Sequence, residues 1–197
     1  APGSAAPAAA GPTPSVVDPA VTGPYAVGHT SFVVVDPTRN PDSGFGGRPL
    51  PVFVWYPVDP GAITESSAEA VCPLDPLNHA GDPSFTLTSA EWEAWGFDRA
   101  FQDPPPSTLK PFPLVMFSPG WGTHAFIHTS LGTRLASHGF VVAVVYHYGD
   151  QFWPWEPPFD HIALALMNRP RDVAFVLSHL LDRNATPGDA LAGLVRP

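Results

Sequence analysis

Two stretches in the second half of the chain, FPLVMFS (Phe112–Ser118) and FVVAVVYHY (Phe140–Tyr148), are apolar at successive positions and not at alternate ones. A strand with one face in water alternates, whereas a strand apolar on both faces needs cover on both, as in a parallel sheet held between helices. Between the two stretches lies a tight turn, PGWG (119–122). Residues His124 to His138 follow, with Phe126, Ile127, Leu131 and Leu135 at helical spacing and Gly139 where a C-cap belongs. Strand, turn, helix and strand in this order make the unit of a doubly wound α/β fold, whose ligands bind beyond the carboxyl ends of the strands. PGWG and the loop after Tyr148 then share one face, and the functional surface is expected there.

The rest of the chain is arranged around this unit. Residues 1–24 are rich in Ala, Pro and Gly, have little to bury, and are expected to be a flexible tail, with the domain running over 25–197. HTSFVVVD (His29–Asp36) and LPVFVWY (Leu50–Tyr56) read as an antiparallel pair of strands, each closed by a proline. Residues 58–110 form an insertion too long for a structureless loop, so it covers something, either as a lid or as a structural wrap. Within it, Thr88 and Glu91 stand three apart ahead of WEAWGF and predict a capped helix over Thr88–Arg99. After the aromatic, proline-broken loop 149–160, a short helix His161–Asn168 is expected. Pro170 then opens a second one over Asp172–Leu181.

Composition removes several function classes. The 197 residues allow one domain and a tail. A net charge of −9 argues against nucleic acid or an anionic membrane as partner. The single cysteine, Cys72, excludes a disulfide framework and a thiolate metal site within the chain. The longest apolar run, Phe140–Tyr146, is far short of the ~20 residues of a membrane-spanning helix. The opening APGSAAPAAAGPTP has neither the charged nor the apolar region of a signal peptide. It is compatible with the remainder left by a cleavage at small residues, and a secreted chain is expected.

Several groups of residues carry chemistry, each beside a plainer use. In SPGWG (Ser118–Gly122) a turn at the end of a buried strand can aim a backbone N–H at a developing oxyanion, with Gly120 and Gly122 leaving room for close approach. The plainer use is a βα turn that needs glycine for its geometry alone. His124 and His128, four apart on the predicted helix, could share a metal, but no Glu follows the first and no third ligand is evident. Ser130 in Thr129-Ser130-Leu131-Gly132 imitates half of a G-x-S-x-G elbow, yet His128 stands where the first glycine belongs and the serine lies within a helix. His147, at a strand end, reads as structural, since no serine or cysteine is evidently placed to use it as a base. Arg171 and Asp172 read as a solvated or locally paired helix start. Trp153, Trp155 and Phe159 either line a pocket or anchor their loop. Asn184-Ala-Thr186 matches a glycosylation sequon.

The segment from Pro111 to Asp150, with SPGWG followed by LASHGFVV (Leu135–Val142), resembles the strand–oxyanion turn–helix–strand block of secreted α/β-hydrolases. It is most similar to bacterial polyester cutinases and to the platelet-activating-factor acetylhydrolase family. Trp55-Tyr56-Pro57, followed by a long insertion, resembles the strand end of the same enzymes. The resemblance implies an α/β-hydrolase fold, a mostly parallel sheet with an antiparallel N-terminal hairpin, of which this chain holds the first half. It also implies that the Trp121 backbone N–H supplies half of an oxyanion hole and that its side chain lines the acyl site. The substrate-contacting set that goes with this is Gly120, Trp121, Gly122, Thr123, Trp153 and Trp155. In that family the serine, the acid and the histidine follow the helix found here at 172–181, and LAGLVRP resembles the approach to the serine's strand. All three triad members are therefore expected outside the chain, C-terminal to residue 197 or on a second polypeptide that completes the sheet.

The expectation is a serine ester hydrolase of lipid-like or polymeric esters, with no cofactor and no metal. The low charge and the aromatic loop suit an uncharged, apolar substrate. The alternatives are a non-catalytic remnant of the same fold that binds a ligand or partner, and a metal-dependent hydrolase built on His124 and His128.

Overall fold

A computed structural model describes residues 18–40, 43–73, 77, 86–121, 123, 125–149 and 162–196. The two N-terminal strands, β1 (Ala26–Asp36) and β2 (Arg48–Val58), pair antiparallel along their full length, from Ala26 opposite Val58 to Asp36 opposite Arg48. The doubly apolar stretches form β6 (Leu114–Phe117) and β7 (Val141–Val145), parallel to each other, and β7 lies antiparallel to β2. Helix α2 (Thr129–Ser137), entered through a 3-10 turn at Ala125–His128, crosses between them. With β5 (Ala100–Gln102) parallel to β1 on the far edge, the sheet order is β5-β1-β2-β7-β6. This mixed sheet with helices against it is the α/β-hydrolase architecture.

The strand periodicity of two sorts the core onto two faces. Val52, Val54 and Tyr56 of β2 and Val141, Ala143 and Val145 of β7 point to one face. There they pack with Val176, Leu180, Leu191 and Leu194. Phe53, Trp55, Val142, Val144 and Tyr146 point to the other, against Ala136 of α2 and Trp92 of the insertion. β2 and β7 are buried at every position, as their unbroken apolar pattern requires.

β6 differs from its expectation. Its four residues are only half-buried, because it is the edge of the described sheet. Beyond it one bridge is present: Val195 pairs with Phe112 in parallel, with N–H···O bonds of 2.9 Å from Phe112 to Leu194 and 2.8 Å from Arg196 to Phe112.

The C-terminal helices expected on either side of Pro170 are one helix, α3 (Ile162–Ala185), with Pro170 inside it. A proline removes one helical hydrogen bond and crowds the preceding turn. Here it falls on the exposed face with Leu166 and Met167, where a carbonyl left without its donor is open to solvent. The following turns are held to the sheet by Asp172, Val176 and Leu180, which are buried at a spacing of four.

Described parts of the insertion lie on the second face, a ribbon of β3 (Val71–Pro73) and β4 (Thr86–Thr88) followed by α1 (Ser89–Ala94), before the chain joins the sheet edge as β5. The reciprocal cap of Thr88 and Glu91 is present. The helix stops at Ala94, short of Arg99, because Gly96 (φ 83°) turns the chain toward β5. Residues 18–24, assigned to the tail on composition, are tied to the end of α2 and to the insertion: Gly23 N–H donates to Ser137 Oγ, Val21 O meets His138 Nε2, and Thr22 donates to Asp98 of the insertion.

Candidate functional site

The strand pattern brings four polar residues to one place. Ser118 follows Leu114 and Met116, His147 follows Ala143 and Val145, Arg48 precedes Leu50 and Val52, and Asp36 follows Val34. Each continues the alternation that points to the α3 face. β6 and β7 run one way and β2 the other, so the ends of β6 and β7 lie beside the beginning of β2. β1 returns to the same edge, with Asp36 opposite Arg48. Four side chains therefore meet at the carboxyl edge of the parallel strands, on the side where α3 presents Asp172.

Their contacts are close. Ser118 Oγ is 2.9 Å from His147 Nε2, and His147 Nδ1 is 2.9 Å from Asp172 Oδ2. Arg48 holds the same carboxylate at both oxygens, from Nε to Oδ1 at 2.9 Å and from its NH2 nitrogen to Oδ2 at 2.9 Å. Arg39 donates to Asp172 Oδ1 at 2.6 Å and to Asp36 at 2.6 Å. Asp172, Arg48 and His147 are buried, while Ser118 is exposed.

Burial by itself pushes the Asp172 carboxyl up. Hydrogen bonds from His147 and Arg48, and their charges, outweigh it and hold the group below the ordinary carboxylate range. The carboxylate is thus ionised and can only accept, so His147 donates to it from Nδ1 and turns Nε2 to the Ser118 hydroxyl.

The arrangement corrects two sequence readings. Asp172 is no solvated helix start but the buried hub of the cluster, while Arg171 beside it is exposed. His147 does have a serine in reach, and Ser118, His147 and Asp172 stand in the order of a Ser–His–Asp triad although 29 and 25 residues separate them. Strand alternation could have put Ser118 and His147 on one face. No local signal marks Asp172.

The turn after Ser118 is closed by bonds from the Thr123 N–H (3.1 Å) and Thr123 Oγ1 (2.5 Å) to the Gly120 carbonyl. Gly120 does not take a left-handed φ, and a Cβ there would make only ordinary contacts, 3.5 Å to Thr123 Oγ1 at the nearest. Backbone geometry and packing therefore leave its glycine unexplained. Trp121 is exposed at 40%. Gly122, His124, Trp153, Trp155 and Phe159 lie outside the described residues.

His128 lies tilted against Phe117, with ring centroids 4.3 Å apart. Among the described residues no group of three His, Cys, Asp or Glu side chains is placed to hold a metal. Ser130 lies within α2. Asn184 of the sequon is used internally: its side chain donates to Val195 O (3.2 Å) and accepts from Val195 N–H (2.9 Å). Among the described residues no helix is long and apolar enough to cross a membrane.

Comparison with known proteins places similarity on this same block. The family described as platelet-activating factor acetylhydrolase, isoform II, matches residues 99–151. The platelet-activating factor acetylhydrolase of Cavia porcellus is 46% identical over 43 residues, 22% of this chain and 10% of that protein. That of Bos taurus is 48% identical over 40 residues, 20% of this chain and 9% of that protein. A ferulic acid esterase structure from Streptomyces cinnamoneus superposes with a TM-score of 0.56 at 26% identity, over 87% of this chain. The match spans 49% of that esterase and about a tenth of each acetylhydrolase. The expected α/β-hydrolase fold and the resemblance to esterases of that fold are both found.

Proposed function

We propose that this chain is the oxyanion-side half of a serine ester hydrolase. What carries the reading is that the match at 99–151 covers the block β6–turn–α2–β7, and that the names of the matched proteins denote ester-cleaving enzymes. The unexplained glycine at 120 supports it, because a bare turn at the carboxyl edge of the strands lets a substrate carbonyl approach the backbone.

In this reading a serine beyond residue 197, or on a second polypeptide, attacks the ester carbonyl while a histidine takes its proton. The acyl-enzyme is then hydrolysed by water. The Trp121 N–H donates to the tetrahedral oxyanion, and one such donor is worth ~3 kcal/mol of barrier. Gly120, Gly122 and Thr123 border the acyl position, with Trp153 and Trp155 lining the cleft for an apolar or polymeric ester. No cofactor enters the chemistry. Secretion and cutinase- or lipase-like substrates go with the resemblance in the same reading.

Replacing Trp121 by Pro removes the N–H, whereas replacing it by Ala keeps it. With short-chain p-nitrophenyl esters and the complete enzyme, Trp121→Pro should lower kcat by about 10²-fold. Trp121→Ala should act chiefly on KM, and equal kcat values for the two variants would remove the oxyanion role. A fluorophosphonate probe read by intact mass tests the division of labour. A labelled second polypeptide beside an unlabelled chain of 21.0 kDa is the expected result. No label and no turnover with every associated chain present would leave a non-catalytic binding protein.

A further inference from the structure

We propose that Ser118, His147 and Asp172, despite their triad-like order, form a positioning tether that fixes the turn 118–123 and do not form a nucleophilic centre. The inference rests on the reading of that turn as the oxyanion site and adds residues that act through it.

The argument is a count of charges and lone pairs. In a hydrolytic triad the carboxylate stabilises the imidazolium that appears when the serine gives up its proton. Asp172 is already committed. Its two oxygens accept four hydrogen bonds, two from Arg48, one from Arg39 and one from His147. Among the described residues two guanidinium groups, Arg39 and Arg48, already lie against the Asp172 carboxylate and share its charge, which leaves it less with which to stabilise an imidazolium.

That geometry connects the turn to the body of the protein. Ser118 is the exposed first residue after β6, and its hydroxyl is bonded to a ring buried at the end of β7. The ring is held by a helix carboxylate, and the carboxylate by the first residue of β2. Four elements thus share one chain of hydrogen bonds that ends at Ser118, two residues ahead of Gly120. A small displacement of such a group is enough to cost about a hundredfold in rate.

The experiment compares Ser118→Ala and Ser118→Thr in the intact protein by amide hydrogen exchange, ester turnover and fluorophosphonate labelling. Ser118→Ala should speed exchange in residues 118–123 roughly tenfold or more, as expected when a tether to a rigid element is lost. Exchange in 141–146 should stay unchanged, and Ser118→Thr, which keeps the hydroxyl, should restore the wild-type rates. Turnover should follow, with kcat reduced in Ser118→Ala, KM retained, and kcat recovered in Ser118→Thr. Unchanged exchange at 118–123 in Ser118→Ala would overturn the tether, and so would a fluorophosphonate adduct mapped to Ser118. A wild-type protein that hydrolyses no ester, but whose exchange responds as described, would remove the esterase reading and keep the tether.

Discussion

At the scale of single residues, the strongest constraints come from polar groups taken out of water. Asp172 remains charged in the interior because two arginines and a histidine replace its hydration; such a cluster resists loss of a partner far more than it adds net stability. His29 is the opposite case, a fully buried imidazole set among Trp55, Phe53 and Trp92, with its ring centroid 5.1 Å from that of Trp55. Burial pushes its pKa down to about 4, against Gln102 and Asp103, which favour the charged form. Above pH 6.5 neither folded nor unfolded chain is protonated there. Between 6.5 and 4 only the unfolded chain binds the proton, so stability is lost as the pH falls through that window. The shift corresponds to about 3 kcal/mol. Urea midpoints at pH 7 and pH 4 should show this loss in the wild type and a loss smaller by about 3 kcal/mol in His29→Phe. Equal losses would mean that His29 is accessible to protons in the folded state.

At the scale of elements, legibility follows the range of the forces involved. The antiparallel pair, β7, the cap at Thr88 and the helix after PGWG were readable because periodicity and capping are decided within a few residues. The single helix through Pro170 was not, because local sequence charges the full cost of an internal proline. The contacts of Asp172, Val176 and Leu180 that hold the helix beyond it come from strands far away in sequence. Gly132 teaches the same lesson. In sequence it closes a false serine elbow; in the fold it is where α2 meets the sheet, and a Cβ there would stand 2.6 Å from the Trp55 ring. Trp55 is fully buried and cannot swing aside without disturbing Phe53 and His29. Gly132→Ala should therefore destabilise the protein by about 1–3 kcal/mol, measured by denaturant titration, although alanine is the better helix former. A stabilised variant would show that α2 can move off the sheet at little cost.

At the scale of the whole molecule, the two edges of the described sheet differ. β5 of the insertion lies along β1, whereas among the described residues β6 carries beyond it only the bridge between Phe112 and Val195. Open backbone groups on a long apolar strand invite a partner strand. In the 197-residue chain, deuterium uptake over 113–118 should be much faster than over 141–146. If a further polypeptide completes the sheet as proposed, its presence should slow this uptake. Slow exchange over 113–118 in the isolated chain would show that β6 is already covered. The sequence by itself determined that Phe140–Tyr148 supplies a strand buried on both faces, where the turn stands before it, and that the single Cys72 makes no disulfide framework within the chain, since composition and short-range periodicity carry these. The gathering of Asp36, Arg39, Arg48, Ser118, His147 and Asp172 at one edge was decided only in the tertiary structure. Strand direction, sheet order and the phase of α3 together choose which distant polar groups meet, and desolvation of Arg48, His147 and Asp172 then makes their mutual hydrogen bonds costly to lose.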